Sequence, residues 1–86
     1  MAEAELKLML LRYNMLSKER AKASYKCMYA DNHASCRDEC SEYINEMVRM
    51  RDDLREDGYE FAFADYKTAG KIYYKVYEII PVSSQR

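Results

Sequence analysis

Glycine, proline and tryptophan are scarce here: two Gly, one Pro and no Trp among 86 residues. So few chain breakers exclude a loop-rich fold and a long disordered tail, which are built from Gly, Pro and polar runs. No apolar run approaches the roughly 20 residues that a bilayer-spanning helix needs, so no membrane segment is expected. The start, MAEAELKLMLLRYNMLSKER, carries Glu3, Glu5 and Lys7 where a secretory leader has a basic tip and an unbroken apolar stretch. A cytoplasmic location with reduced thiols is the expectation. A dominant charge is missing too. Fourteen Lys plus Arg nearly cancel 15 Asp plus Glu, for a net charge of −1. That balance weakens broad attraction to nucleic acid or to an anionic membrane. The length suits one domain over residues 1–86 with a thin core, since a chain this short hides only roughly 60% of its unfolded surface.

What is present is periodic. Leu6, Met9, Tyr13, Leu16, Arg20, Ala23, Cys27 and Ala30 follow a 3-4-3-4-3-4-3 spacing, an apolar stripe of coiled-coil period broken only by Arg20. Arg20 is expected to extend its guanidinium out of the stripe. Glu3 and Glu5 suit the positive end of a helix dipole, and the first helix is expected over about 3–31. Cys36, Cys40, Tyr43, Met47, Met50 and Leu54 form a second stripe, spaced 4-3-4-3-4. The second helix is expected over about 36–57, with a turn at 32–35, Ser35 as N-cap and Gly58 closing it in the left-handed conformation. If the chain reverses near His33, facing residue numbers keep a constant sum of 66 or 67 along both stripes. Cys27 then meets Cys40, and Tyr13 meets Leu54, as in one antiparallel seam. Leu10, Leu11, Ile44 and Val48 widen the stripes and leave surface for a third element or a partner.

After Gly58 the period changes. Tyr59, Phe61 and Phe63 alternate with Glu60, Ala62 and Ala64, as in a strand. KTAG supplies a turn, and Ile72, Tyr74 and Val76 alternate with Tyr73, Lys75 and Tyr77 before Pro81. A helical face through Tyr66, Ala69, Tyr73, Val76 or Tyr77, and Ile80 is the rival reading of 64–80. Leu6 and Met9 overrun the second helix, so Tyr59 to Phe63 should cover them. The expected fold is α+β: an antiparallel helical hairpin with a β-hairpin, about 59–80, packed on its open end, and a short tail over 81–86. Two unpaired sheet edges favour a homodimer or another protein partner.

Three sets of residues carry candidate chemistry. Cys27, Cys36 and Cys40 share the seam and His33 sits at the turn, so a zinc ion could take all four, although the spacing lacks Cys-x-x-Cys pairs. Ordinary packing of small apolar thiols is the simpler account, and a Cys27–Cys40 bridge is open under oxidation. Lys18, Lys22 and Lys26 line one helical face beside Tyr25 and Tyr29, the basic-aromatic pattern of a nucleic-acid or nucleotide contact. Glu19 and the neutral total count against it. Tyr59, Tyr66, Tyr73, Tyr74 and Tyr77 exceed what one covered sheet face can hold, and tyrosine favours interfaces. No nucleophile, base and oxyanion donor occur together, so no enzyme activity is expected. A non-catalytic protein–protein interaction module is the leading expectation, with nucleic-acid binding and a small zinc-stabilised regulator as alternatives. By analogy of size and composition alone, it resembles small phage or mobile-element accessory proteins that inhibit a host or defence protein by occlusion.

Overall fold

The computed structural model describes residues 2–29 and 33–82, with the side chains of residues 29 and 33–37 outside that description. Helix α1 spans Glu3–Tyr29 and helix α2 spans His33–Glu56; strand β1 spans Tyr59–Ala69 and strand β2 spans Ile72–Pro81. The two strands form one antiparallel sheet that packs on the helices, an α+β fold. The rival helical reading of 64–80 falls, because β-branched and aromatic residues in alternation suit a pleated, half-buried surface.

The two stripes build the seam. Among the described residues, Tyr13, Leu16 and Ala23 of α1 and Met47, Met50 and Leu54 of α2 are the buried apolar side chains, and of these Leu54 is completely enclosed. Near the turn the constant-sum pairing holds, with the Cys27 and Cys40 sulfurs 4.0 Å apart. Toward the open end it drifts: Arg12, beside Tyr13 and level with residues 54 and 55 by that sum, forms its ion pair with Glu46 instead. Met47 and Met50 fill the seam without locking its register, because an unbranched thioether adapts to irregular space. Helix α2 starts at His33, not residue 36, so Ser35 lies within its first turn rather than capping it. Ala34 is a strong helix former and no Gly or Pro lies between His33 and Gly58, so nothing in the segment opposes the earlier start. Gly58, at φ 86°, closes α2 with its N–H on the Arg55 carbonyl at 2.9 Å.

The sheet begins at the open end and then runs back along α1. Phe61 stacks on Tyr13 with ring centroids 3.7 Å apart and planes 7° from parallel. Tyr77 meets the same ring edge-on, at 5.0 Å and 80°. Met9, Tyr43, Phe61 and Tyr77 all pack against the buried core of Tyr13, Leu16, Met47 and Met50. The hairpin turn is Gly70–Lys71. Gly70 has φ 65° and, among the described residues, no non-glycine has a positive φ. That combination is the type II′ turn, which matches the twist of the strands.

Two polar residues of α1 fix where the sheet lies. The Asn14 amide donates to the Tyr77 carbonyl at 3.2 Å, and the Tyr77 N–H donates to Asn14 Oδ1 at 2.8 Å. Ser17 Oγ, nearly buried, donates to the Lys75 carbonyl at 2.7 Å. Antiparallel neighbours alternate between pairs that exchange backbone bonds and pairs whose groups point outward. Val82 N–H bonds to the Gly58 carbonyl at 3.0 Å, which puts Gly58/Val82 at an inward, hydrogen-bonding position of the ladder and, by alternation, Phe63/Tyr77 at an outward one. Asn14 and Ser17 therefore occupy β2's outer edge, in the place of a third strand. The expectation of two unpaired edges is corrected: α1 covers one of them. On the other edge a bulge leaves Ala64 without a partner residue across the ladder, and Asp65 Oδ1 accepts the Tyr66 N–H at 2.7 Å. A bulge and an acid blunt that edge against further strand pairing.

Asn14→Ala is expected to lower the unfolding free energy by about 2 kcal/mol, because it removes two hydrogen bonds and strands a half-buried N–H and C=O. Urea denaturation checks this, and a loss below about 0.5 kcal/mol would contradict the edge assignment. Burial, with Tyr77 adding, raises the Tyr13 phenol above its ordinary value of 10.0. The unfolded chain thus releases that proton at lower pH than the native one, so stability present at neutral pH is lost as pH climbs past 10.0 through the raised native value. Melting curves across this alkaline range should show a shallower loss in Tyr13→Phe than in the wild type.

Candidate functional site

Arg20 is the one charged residue of the α1 seam stripe, and its side chain is exposed. The reason lies in the layout of the elements. Sheet strand β2 is held to α1 at Asn14 and Ser17, whereas β1 contacts α2 much less extensively. Where α2 and the sheet diverge, the seam opens, and an arginine stem can cross apolar surface and still reach water.

Two clefts meet at this opening, and Arg20 and Tyr77 line both. One is bounded by Ser17, Ser24, Tyr66, Tyr73, Tyr74 and Lys75. The other is bounded by Tyr13, Ile44, Met47, Val48 and Arg51. Strand pairing puts Phe63 beside Tyr77 and Tyr66 beside Lys75, so their side chains share the helix-facing side of the sheet with Tyr73. Phe63 and Tyr66 touch edge to face, with centroids 4.9 Å apart. The result is a trough with an aromatic wall, an aliphatic wall from Ile44 and Val48, and cationic groups at its floor and rim.

The five tyrosines expected to bind a partner divide. Tyr66 and Tyr73 are 56% and 73% exposed. Tyr59, Tyr74 and Tyr77 are half-buried, and Tyr77 also packs on the core cluster. Phe63, half exposed, belongs to the same surface and escapes a reading of the sequence, because its alternation fits a core position equally well. Of the residues expected to widen the seam, Leu10 is half-buried, while Leu11, Ile44 and Val48 are exposed. Leu8 and Met15 are exposed with Leu11, and their spacing signals a second face of α1.

The basic line is partly compensated. Lys22 pairs with Glu19 at 3.7 Å, Lys18 and Tyr25 are half-buried, and Lys26 is exposed. The Tyr29 side chain lies outside the described residues, so the full basic-aromatic set is not brought together. Of the proposed zinc ligands, Cys27 and Cys40 meet in the seam, while the His33 and Cys36 side chains lie outside the described residues. Among the described residues no three His, Cys, Asp or Glu side chains form a group that could hold a metal. Among these residues, too, no helix is long and apolar enough to cross a membrane.

The thiol contact has a direct chemical consequence. Incubation with oxidised glutathione should join Cys27 to Cys40 by two exchange steps, releasing two glutathione thiols, because their sulfurs need only about 2 Å of further approach. Peptide mapping checks the pairing. Bridges that instead involve Cys36, or that link separate chains, would contradict the seam register.

A comparison with protein-family models, with curated proteins and with solved structures found no match. The functional reading rests on the geometry of this chain.

Proposed function

We propose that the chain is a non-catalytic protein–protein interaction module that grips a segment of another protein in the trough around Arg20. The observation that carries this reading is the joint exposure of Tyr66, Tyr73 and Arg20 along an opening in the apolar seam. Tyrosine and arginine are the side chains that most often supply binding energy at interfaces. Each gives a large contact area together with a directed polar group. Arg20, Arg51 and Lys75 give the trough a positive rim, so the complementary segment carries an apolar anchor flanked by a carboxylate. A module of this kind acts by covering its partner's surface. That mode fits inhibition of a host or defence protein by occlusion, as small phage or mobile-element accessory proteins do.

Affinity capture with the tagged chain, from a lysate of its source organism or that organism's host, tests the reading. One protein should be retained reproducibly. Arg20→Glu and the Tyr66→Ser/Tyr73→Ser double variant should each weaken its binding by at least about tenfold, since hot-spot contacts cost more than about 1.4 kcal/mol when truncated. Their melting temperatures should stay near the wild-type value, because these side chains are exposed. Failure to retain any protein, or retention indifferent to these substitutions, would contradict the proposal.

A further inference from the structure

Helix α1 has a third face, turned away from both α2 and the sheet. At about 100° per residue, Tyr13 and Leu16 point to the seam and Asn14 and Ser17 to β2, which leaves Ala4, Leu8, Leu11 and Met15 together on the outer side. Leu8, Leu11 and Met15 are 68%, 69% and 58% exposed. These four residues follow a 4-3-4 spacing, the period of a second coiled-coil seam. Continued in the same period, the stripe reaches Lys18 and Lys22, so it is three turns long and ends in charge.

We infer that this face binds the same face of a second copy of the chain, with the two α1 helices antiparallel. A two-fold interface must be self-complementary. In antiparallel pairing with facing residue numbers summing to 19, Leu8 meets Leu11 of the second copy and Ala4 meets its Met15. Each small residue faces a long one, and each leucine faces a leucine. The flanking charges choose the direction. The antiparallel arrangement sets Glu5 beside Arg12 of the second copy, twice by symmetry. A parallel arrangement would set Lys7 beside Arg12 of the second copy, two like charges, also twice. Arg12 already pairs with Glu46 of its own chain, yet 62% of its side chain is exposed, and a guanidinium has donors for both carboxylates.

Three turns of helix bury far less than the roughly 1,200 Å² of a standard interface, so the dimer is weak and reversible. The pairing involves neither sheet edge, and it leaves the Arg20 trough open on the opposite side of α1. It is therefore independent of the proposed grip on a foreign protein.

Sedimentation velocity on the full chain from about 5 to 500 µM, spanning the affinity range of small interfaces, tests this directly. The wild type should pass from monomer to dimer. Leu11→Glu should weaken dimerisation at least about tenfold, as it places two charges in a two-fold apolar contact, with the circular dichroism spectrum and melting temperature unchanged. Arg12→Glu should weaken it as well, and Lys7→Glu should leave it unaltered. Tightening by Lys7→Glu would overturn the antiparallel arrangement. A wild type that stays monomeric throughout, or a dimer insensitive to both Leu8→Glu and Leu11→Glu, would overturn the inference. Loss of a captured foreign protein on Leu11→Glu, with a monomeric wild type, would overturn it too and reassign the face to that protein.

Discussion

The side chain of Asn14 does for this sheet what a third strand would do. Two strands alone are marginal, because each edge presents unpaired backbone groups and one face lacks cover. A carboxamide carries a donor and an acceptor about as far apart as those of a peptide unit, so one asparagine can satisfy both groups of Tyr77. Ser17, one helical turn on, repeats the contact at Lys75. Together they run β2 along α1 in a fixed register and choose which side of the hairpin faces the helices. The aromatic cluster of Tyr13, Phe61 and Tyr77 then follows from that placement.

The same constraint shapes the candidate surface around Arg20. With β2 committed to α1, the sheet cannot also close over α2, and the seam opens beside Arg20. An apolar residue at that position would lie against water in the opening, whereas an arginine covers the gap and keeps its charge solvated. Tyr66, Tyr73 and Phe63 lie on the part of the sheet that the helices do not cover. In a molecule extending 44 × 26 × 23 Å, little volume is left for a larger core, and the surplus aromatic surface faces outward. The three faces of α1 are thus engaged differently. One meets α2, one meets β2, and the outer one leaves Leu8, Leu11 and Met15 exposed.

How legible each feature is in the sequence follows from its range and period. The seam stripes can be read because a 3-4 spacing is a local repeat, and the strands because alternation is another. The Asn14 and Ser17 contacts cannot be read. They join residues 63 and 58 positions apart, and a single polar side chain on a helix leaves no periodic trace of a distant backbone partner. The start of α2 escapes for a related reason, since Ser35 has the chemistry of a cap and only the backbone tells whether it serves as one. The register drift between Cys27–Cys40 and Arg12–Glu46 is hidden because methionines tolerate several alignments. For the site, the tyrosine excess is visible as composition. Its division into exposed Tyr66 and Tyr73 and half-buried Tyr59, Tyr74 and Tyr77 depends on where α1 holds the sheet.

Amide hydrogen exchange, resolved by residue, tests that edge closure most directly. With the edge closed by Asn14, the Tyr77 amide should exchange as slowly as its ladder neighbours Val76 and Glu78. The Phe61 and Phe63 amides, which the strand alternation turns toward the opposite edge, should exchange much faster. A Tyr77 amide exchanging at the rate of Phe63 would mean that α1 does not close the sheet, and the placement of the trough would fall with it.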